Sequence, residues 1–197
     1  MNYLYPVQPN RIYEDADHFL KSKEYIAEPK KDGWRCLVHG ENDTITLYTR
    51  HKTLVKGESS EPQLLSLKQK LLSLFKDWQP FMIDGELLQW RSPKEKGKIY
   101  LFDIIIKNGH KRGSMQLESR RQPLFDMDLP HIPTDGCPLL GTVFIPKVYT
   151  HDFLDTYREI IKQPSIEGIV LKKIDSQYPV VLKENFKFPF WVKLRKG

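Results

Sequence analysis

The stretch Glu28-Pro29-Lys30-Lys31-Asp32-Gly33-Trp34-Arg35 decides how this chain is read. A strand-forming run (25–29) leads into it, Asp32-Gly33 supplies a tight turn, and a second strand pattern (34–39) leaves it. Lys30 stands at that corner, where an amine can be held out of a sheet and into a pocket. A lysine must be neutral to attack phosphorus, and neighbouring cations or a metal favour the neutral form. Taken alone, the same residues also describe a charged β-turn, because short motifs match by chance.

Working outward, short strand patterns punctuated by turn residues recur at 44–49, 81–90, 99–106, 143–149, 168–173 and 190–195. Asp43, Asn108-Gly109 and the proline-bounded segment 133–138 supply turns. Helical spacing appears at 62–75, where Leu64, Leu65, Leu67, Leu71, Leu72 and Phe75 repeat, and again at 152–161. An apolar stripe of this period is core, so these helices are expected to cover the sheets. The expected class is α+β, with antiparallel sheets and flanking helices. The 197 residues suit one compact domain, without internal repeats.

Three further segments carry candidate chemistry. Asp84-Gly85-Glu86 lies inside an apolar strand, where a buried carboxylate needs donors or a metal, and period two puts Asp84, Glu86 and Leu88 on one face. Glu167 opens the run Gly168-Ile169-Val170-Leu171, and a carboxylate at such a place suits Mg²⁺, which prefers oxygen ligands. Lys172 lies five residues on, so in a regular strand it faces away from Glu167 unless the strand bulges. Near the end, Trp191, Lys193 and Arg195 share one strand face, and two cations there can clamp a phosphate. Each segment alone is equally a salt bridge or a solvated edge.

The chain carries 31 Lys and Arg against 25 Asp and Glu, a net charge of +6 and a pI near 9.1, a balance that suits polyanionic partners without requiring them. Cys36 and Cys137 have no CxxC spacing, so neither a thiolate zinc site nor a disulfide framework is indicated, and the six histidines show no ligand spacing. No signal peptide or membrane-span pattern is present, so a cytoplasmic protein with no membrane partner is expected. The absence of GxxxxGK[ST], GxGxxG and HExxH removes phosphate-loop, dinucleotide-binding and zincin readings.

The order of the segments resembles the covalent nucleotidyltransferase superfamily of ATP-dependent DNA ligases, RNA ligases and mRNA capping enzymes. Lys30 to Arg35 resembles motif I (KxDGxR), Asp84 to Glu86 motif III, Tyr100-Leu101-Phe102-Asp103 motif IIIa, Glu167 to Lys172 motif IV and Trp191 to Arg195 motif V. The ending Trp-Val-Lys-Leu-Arg is more like the DNA ligase pattern than that of capping enzymes, with Arg195 where a second lysine is usual. Arg50 resembles the motif Ia arginine of DNA ligases.

The resemblance implies an ATP-grasp-like ligase adenylation domain over residues 1–197, without an OB-fold, using ATP and Mg²⁺. It implies that Lys30 attacks the α-phosphate of ATP, expels pyrophosphate and carries AMP to a 5′-phosphate at a nick. It further implies Glu28 on adenine, Phe102 stacked on the base, Glu86 on ribose or metal, and Glu167 on metal. Arg35 and Arg50 are implied on ribose or phosphates, Lys193 on the α-phosphate, and Lys172 and Arg195 within the nucleotide site. The expected partners are nicked duplex DNA or another polynucleotide and a separate OB-fold domain, with the chain itself a monomer and slow to adenylylate itself alone. The rivals are an RNA ligase or capping guanylyltransferase core with the same lysine chemistry, and a non-catalytic nucleic-acid binding domain.

Overall fold

The computed structural model describes residues 2–14, 16–88, 97–131, 143–179, 181 and 183–196. The strands are β1 (Gln8–Arg11), β2 (Tyr25–Lys31), β3 (Trp34–Glu41), β4 (Thr44–Thr49), β5 (Phe81–Leu88), β6 (Lys98–Lys107), β7 (His110–Lys111), β8 (Val143–Phe144), β9 (Ile166–Lys173) and β10 (Lys187–Arg195). The α-helices are α1 (Asp17–Leu20), α2 (Pro62–Phe75), α3 (Leu117–Phe125) and α4 (Phe153–Ile160). This is the expected α+β class, with two predominantly antiparallel sheets.

The first sheet has four strands in the order β1-β10-β9-β2. Its pairing puts Glu28 and Lys30 of β2, Val170 and Lys172 of β9, and Trp191, Lys193 and Arg195 of β10 on one face. Tyr25, Ala27, Ile169, Leu171, Val192 and Leu194 fall on the other face, where they pack with Phe153, Tyr157 and Ile160 of α4. One face is thus apolar and covered by a helix, and the opposite face carries the cations.

The second sheet has six strands, β4-β3-β5-β6-β7 with β8 beside β6. One face buries Cys36, Val38, Ile83, Leu87 and Leu101 against Leu64, Leu67, Leu71 and Phe75 of α2, all four fully buried. At about 1.5–3 kcal/mol per buried side chain, this contact alone holds α2 in place. The opposite face contributes Leu37, Met82 and Ile106 to a core shared with Phe188 and Trp191 of the first sheet.

Besides a register shift between Pro9 and Asn10 where β1 meets β10, three bulges break the regular pairing. On β6, Asp84 faces Asp103 while Gly85 faces Leu101, so Phe102 is the extra residue, and Ile105 is extra in the same way opposite Met82 and Ile83. On β9, Lys30 faces Gly168 while Lys31 faces Ile166, so Glu167 is the extra residue. Gly168 makes that bulge possible: its φ is +152°, and a Cβ there would lie 1.9 Å from the Leu194 carbonyl oxygen.

Several expectations are corrected. The Asp32-Gly33 turn does not close a hairpin, because β2 pairs with β9 in the first sheet and β3 pairs with β4 and β5 in the second. The turn is a corner between sheets. The strand expected over 143–149 is only β8, followed by single bridges at Ile145 and Tyr149. The chain also forms β1, α1, β7 and α3, which the patterning did not indicate; α3 contains Pro123 and buries Arg120 and Arg121 alongside Leu117 and Leu124. Gln89-Trp90, the 133–138 turn and Cys137 lie outside the described residues. Among the described residues, no helix is long and apolar enough to cross a membrane.

Candidate active site

A cleft of about 550 Å³ opens where the two sheets meet. The cationic face of the first sheet lines one side with Glu28, Lys30, Lys172, Trp191, Lys193 and Arg195, while Arg35, Glu86, Tyr100 and Phe102 of the second sheet line the other. Arg50 and His51, just past β4, complete the rim. The inter-sheet corner after β2 places Lys30 between these walls.

At one end, Lys30 Nζ donates to Glu167 Oε2 and, at 3.3 Å, to the Lys31 carbonyl. Arg195 Nη2 donates to the same Glu167 oxygen at 2.5 Å. The bulge explains how Glu167 reaches two cations of the cleft face although simple alternation would turn it away. Burial pushes the Glu167 carboxyl up, but a hydrogen bond shared with Asp32 and those donated by Arg195 and Lys30 outweigh it and hold it at about 2. The Lys30 side chain is 19% exposed. Its amine is engaged as a donor, so any bond formed at Nζ requires this contact to open.

Glu86 stands in the same neighbourhood. Burial pushes its carboxyl up to about 7, against the opposing pull of Lys30 and Arg35 and with the help of Asp84 and Glu167. Lys193 is pushed down, first by burial and then by Lys187, Arg195 and Lys30. A group of cations that repel one another is a site that an anion stabilises.

The other end is aromatic. The bulge at Phe102 turns its ring into the cleft, with the Arg35 guanidinium 4.6 Å from its centre. Lys172 Nζ lies 4.4 Å from both the Phe102 and Trp191 rings. Lys172 shares a face with Glu28 and binds it at 2.7 Å, which settles the strand parity left open by the sequence. Burial pulls Lys172 down to about 8 in spite of Glu28. Burial also works against the Glu28 anion, but Arg121 and Lys172 outweigh it and keep the carboxyl below its ordinary range.

Of the residues singled out from the sequence, Glu28, Lys30, Arg35, Arg50, Glu86, Phe102, Lys172, Trp191, Lys193 and Arg195 line this cleft, and Glu167 binds Lys30 and Arg195 of that lining, but several of these side chains are already paired within the protein. The Arg35 fork is taken by Asp84 at 2.6 and 2.5 Å, and Tyr178 Oη donates to Asp84 at 2.9 Å. Arg35 therefore lies against the Phe102 ring with its Nε and Nη2 engaged by Asp84. Arg50 is exposed and donates to His51 at 2.9 Å.

Sequence reasoning missed Tyr178 and the adjacent arginines of α3. Arg120 grips Asp103 at 2.7 and 2.9 Å with both side chains fully buried, and Arg121 pairs with Glu28 at 2.5 Å. Two consecutive arginines in a segment of low apolar content were the available signal, and they read there as surface charge.

Glu86 and Glu167 are the carboxylates that would hold a metal here, and their oxygen donors fit Mg²⁺, which keeps substrate phosphates and waters for the rest of its shell. Among the described residues, no group of three or more His, Cys, Asp or Glu forms an all-protein metal cage.

A family model described as RNA ligase matches residues 23–195, nearly the whole of this architecture. The chain belongs to the RNA ligase family. Among relatives of this family member, the SPβ prophage-derived DNA ligase-like protein LigB of Bacillus subtilis is 26% identical over 205 residues, covering 95% of this chain and 67% of that protein. A probable DNA ligase of Dictyoglomus turgidum is 24% identical over 190 residues, covering 86% of this chain but 31% of that protein. The ligase domain of Mycobacterium tuberculosis LigD superposes with a TM-score of 0.70 at 20% identity, over 98% of this chain and 59% of that one. The ATP-dependent DNA ligase of bacteriophage T7, solved with ATP, gives 0.63 at 16% identity, over 96% and 68%. The fold is that of ligase nucleotidyltransferase domains.

Proposed function

We propose that this chain is the adenylation domain of an ATP-dependent DNA ligase, acting as a monomer through a lysyl-AMP intermediate on Lys30. The observation that carries this reading is the placement of Lys30 at the inter-sheet corner, flanked by Glu167, Glu86, Lys193 and Arg195 at one end of a cleft whose other end is aromatic. A nucleoside triphosphate fits that polarity, with its base against Phe102 and its phosphates among the cations.

In this reading, Lys30 Nζ attacks the α-phosphorus of ATP, the N–P bond forms with loss of an amine proton, and the bond to pyrophosphate breaks. Lys193 and Arg195 balance the charge that gathers on the transferring phosphate. Bound Mg²⁺ would supply further charge neutralisation there. Glu167 leaves Lys30 as phosphate enters, exchanging one anion for another. AMP then passes to the 5′-phosphate of a nick, and a neighbouring 3′-hydroxyl displaces it to seal the strand. A separate OB-fold domain is the partner that would close over the nucleotide and the duplex.

DNA as substrate is supported by the names of the relatives, whereas the family description favours an RNA ligase as the second reading. Incubation with each α-labelled nucleoside triphosphate and Mg²⁺, followed by denaturing electrophoresis, tests the chemistry. Label is expected from ATP, lost in Lys30→Ala and kept in Lys31→Ala. Undiminished label in Lys30→Ala overturns the reading, and label from GTP instead indicates capping chemistry. Salt-sensitive binding of nucleic acid without any adduct would indicate a non-catalytic module. Sealing of nicked RNA but not nicked DNA decides for the RNA ligase.

A further inference from the structure

The two consecutive arginines of α3 serve different sheets. Arg120 forks onto Asp103, next to Phe102, and also donates to the Met115 and Ser176 carbonyls at 2.9 and 2.8 Å. Successive helical residues point about 100° apart, so Arg121 is aimed elsewhere. Its Nη1 lies 2.5 Å from Glu28 Oε1, with each side chain 4% exposed. Among the described residues none of its three guanidinium nitrogens makes a hydrogen bond, so the close contact with Glu28 is an ion pair, and the Phe125 ring covers the guanidinium at 4.4 Å. Glu28 is thus what neutralises Arg121. The other Glu28 oxygen meets Lys172 at 2.7 Å.

We infer that Arg121 is a positioning residue that fixes the Glu28 carboxylate as an acceptor at the base end of the cleft, and so sets a preference for 6-aminopurine over 6-oxopurine nucleotides. The inference rests on the reading of the cleft as a nucleotide site. An ionised carboxylate only accepts hydrogen bonds, so it receives an exocyclic amine N–H and repels the lone pairs of a 6-oxo oxygen. A carboxylate buried in this place keeps its charge only while cations face it. Without Arg121, the carboxyl is drawn toward Lys172 and can take a proton, and a neutral acid also donates to a 6-oxo group.

The test is equilibrium binding of ATP and GTP, read by tryptophan fluorescence, to the unaltered chain, Arg121→Met, Glu28→Gln and the double variant. Arg121→Met is expected to lower the ATP-over-GTP ratio at least about tenfold, the scale on which a site built to hydrogen-bond one substrate rejects another. Glu28→Gln should do the same, and the double variant should lose no more than either alone, since the two residues act as one unit. Arg121→Lys should keep most of the ratio. In self-labelling, Arg121→Met should raise KM for ATP and leave the saturating rate within about threefold. An unchanged ratio in Arg121→Met, or losses that add in the double variant, overturns the inference. If Arg121→Met does not fold, Arg121→Gln compared with Arg121→Lys decides by the same ratio. Failure to form any adduct defeats the proposed chemistry but leaves this binding test intact; adduct formation with an unchanged ratio defeats this inference alone.

Discussion

The two ends of the cleft hold their charges in opposite ways. Around Lys30, the side chains of Lys30, Glu167 and Arg195 are 19%, 20% and 41% exposed, so water and ions reach the pairs. Around Phe102, the pairs Asp103–Arg120, Glu28–Arg121 and Glu28–Lys172 are 0–4% exposed. Removing one partner from a buried pair strands a charge and is costly, whereas exposed pairs contribute little. The aromatic end is therefore fixed in advance of any ligand. The Lys30 end is built from contacts that a ligand can exchange.

This contrast is broken most severely by Asp103→Asn, which leaves the buried Arg120 guanidinium without its counter-ion. Stability measured by urea denaturation should fall by about 3–5 kcal/mol. A fall below about 1 kcal/mol would mean that the buried network does not hold the aromatic end rigid.

The next largest effect is expected from Phe102→Ala. If the ring stacks on a nucleobase, nucleotide affinity measured by titration calorimetry should weaken by about 1–3 kcal/mol. An unaltered affinity would remove Phe102 from the binding surface.

Glu86 gives a pH dependence of defined sign. Its folded-state carboxyl titrates at about 7, above an unfolded value of about 4.3, so the folded chain holds a proton that the unfolded chain has released. The corresponding stability is present below the unfolded value and is lost as pH rises toward 7. Discounted for solvent contact, the loss should be about 1–2 kcal/mol, and Glu86→Gln should abolish it in thermal melts between pH 5 and about 7.5. An identical pH profile in that variant would place the titration elsewhere.

Arg195→Ala should have the smallest effect on stability, under about 1 kcal/mol, because the pair is exposed and Glu167 keeps Lys30. A larger loss in a thermal melt would show that the Lys30 end is as rigid as the aromatic end.

The difference between the ends also explains what could be read from the sequence. Period-two alternation placed Trp191, Lys193 and Arg195 on one face, and helical spacing located α2 with the bounds Pro62–Phe75. Lys30 at a turn was legible because Asp-Gly is a strong local signal. The use of that turn to join two sheets was not, since it depends on long-range pairing. Glu167 and Phe102 reach the cleft through bulges, which reverse the alternation that sequence reasoning relies on. Arg120 and Arg121 lack any apolar period, and Pro123 argues against the helix that carries them. Tyr178 binds an aspartate 94 residues away, a contact that no local pattern encodes.

The proposed reaction puts a covalent bond between Lys30 and AMP. The most direct measurement is mass spectrometry of proteolytic fragments after incubation of the chain with ATP and Mg²⁺. The adenylyl group is expected on Lys30 within the peptide spanning the inter-sheet corner. Its location on Lys31 or another side chain, or its absence after prolonged incubation with excess ATP, would contradict the claim.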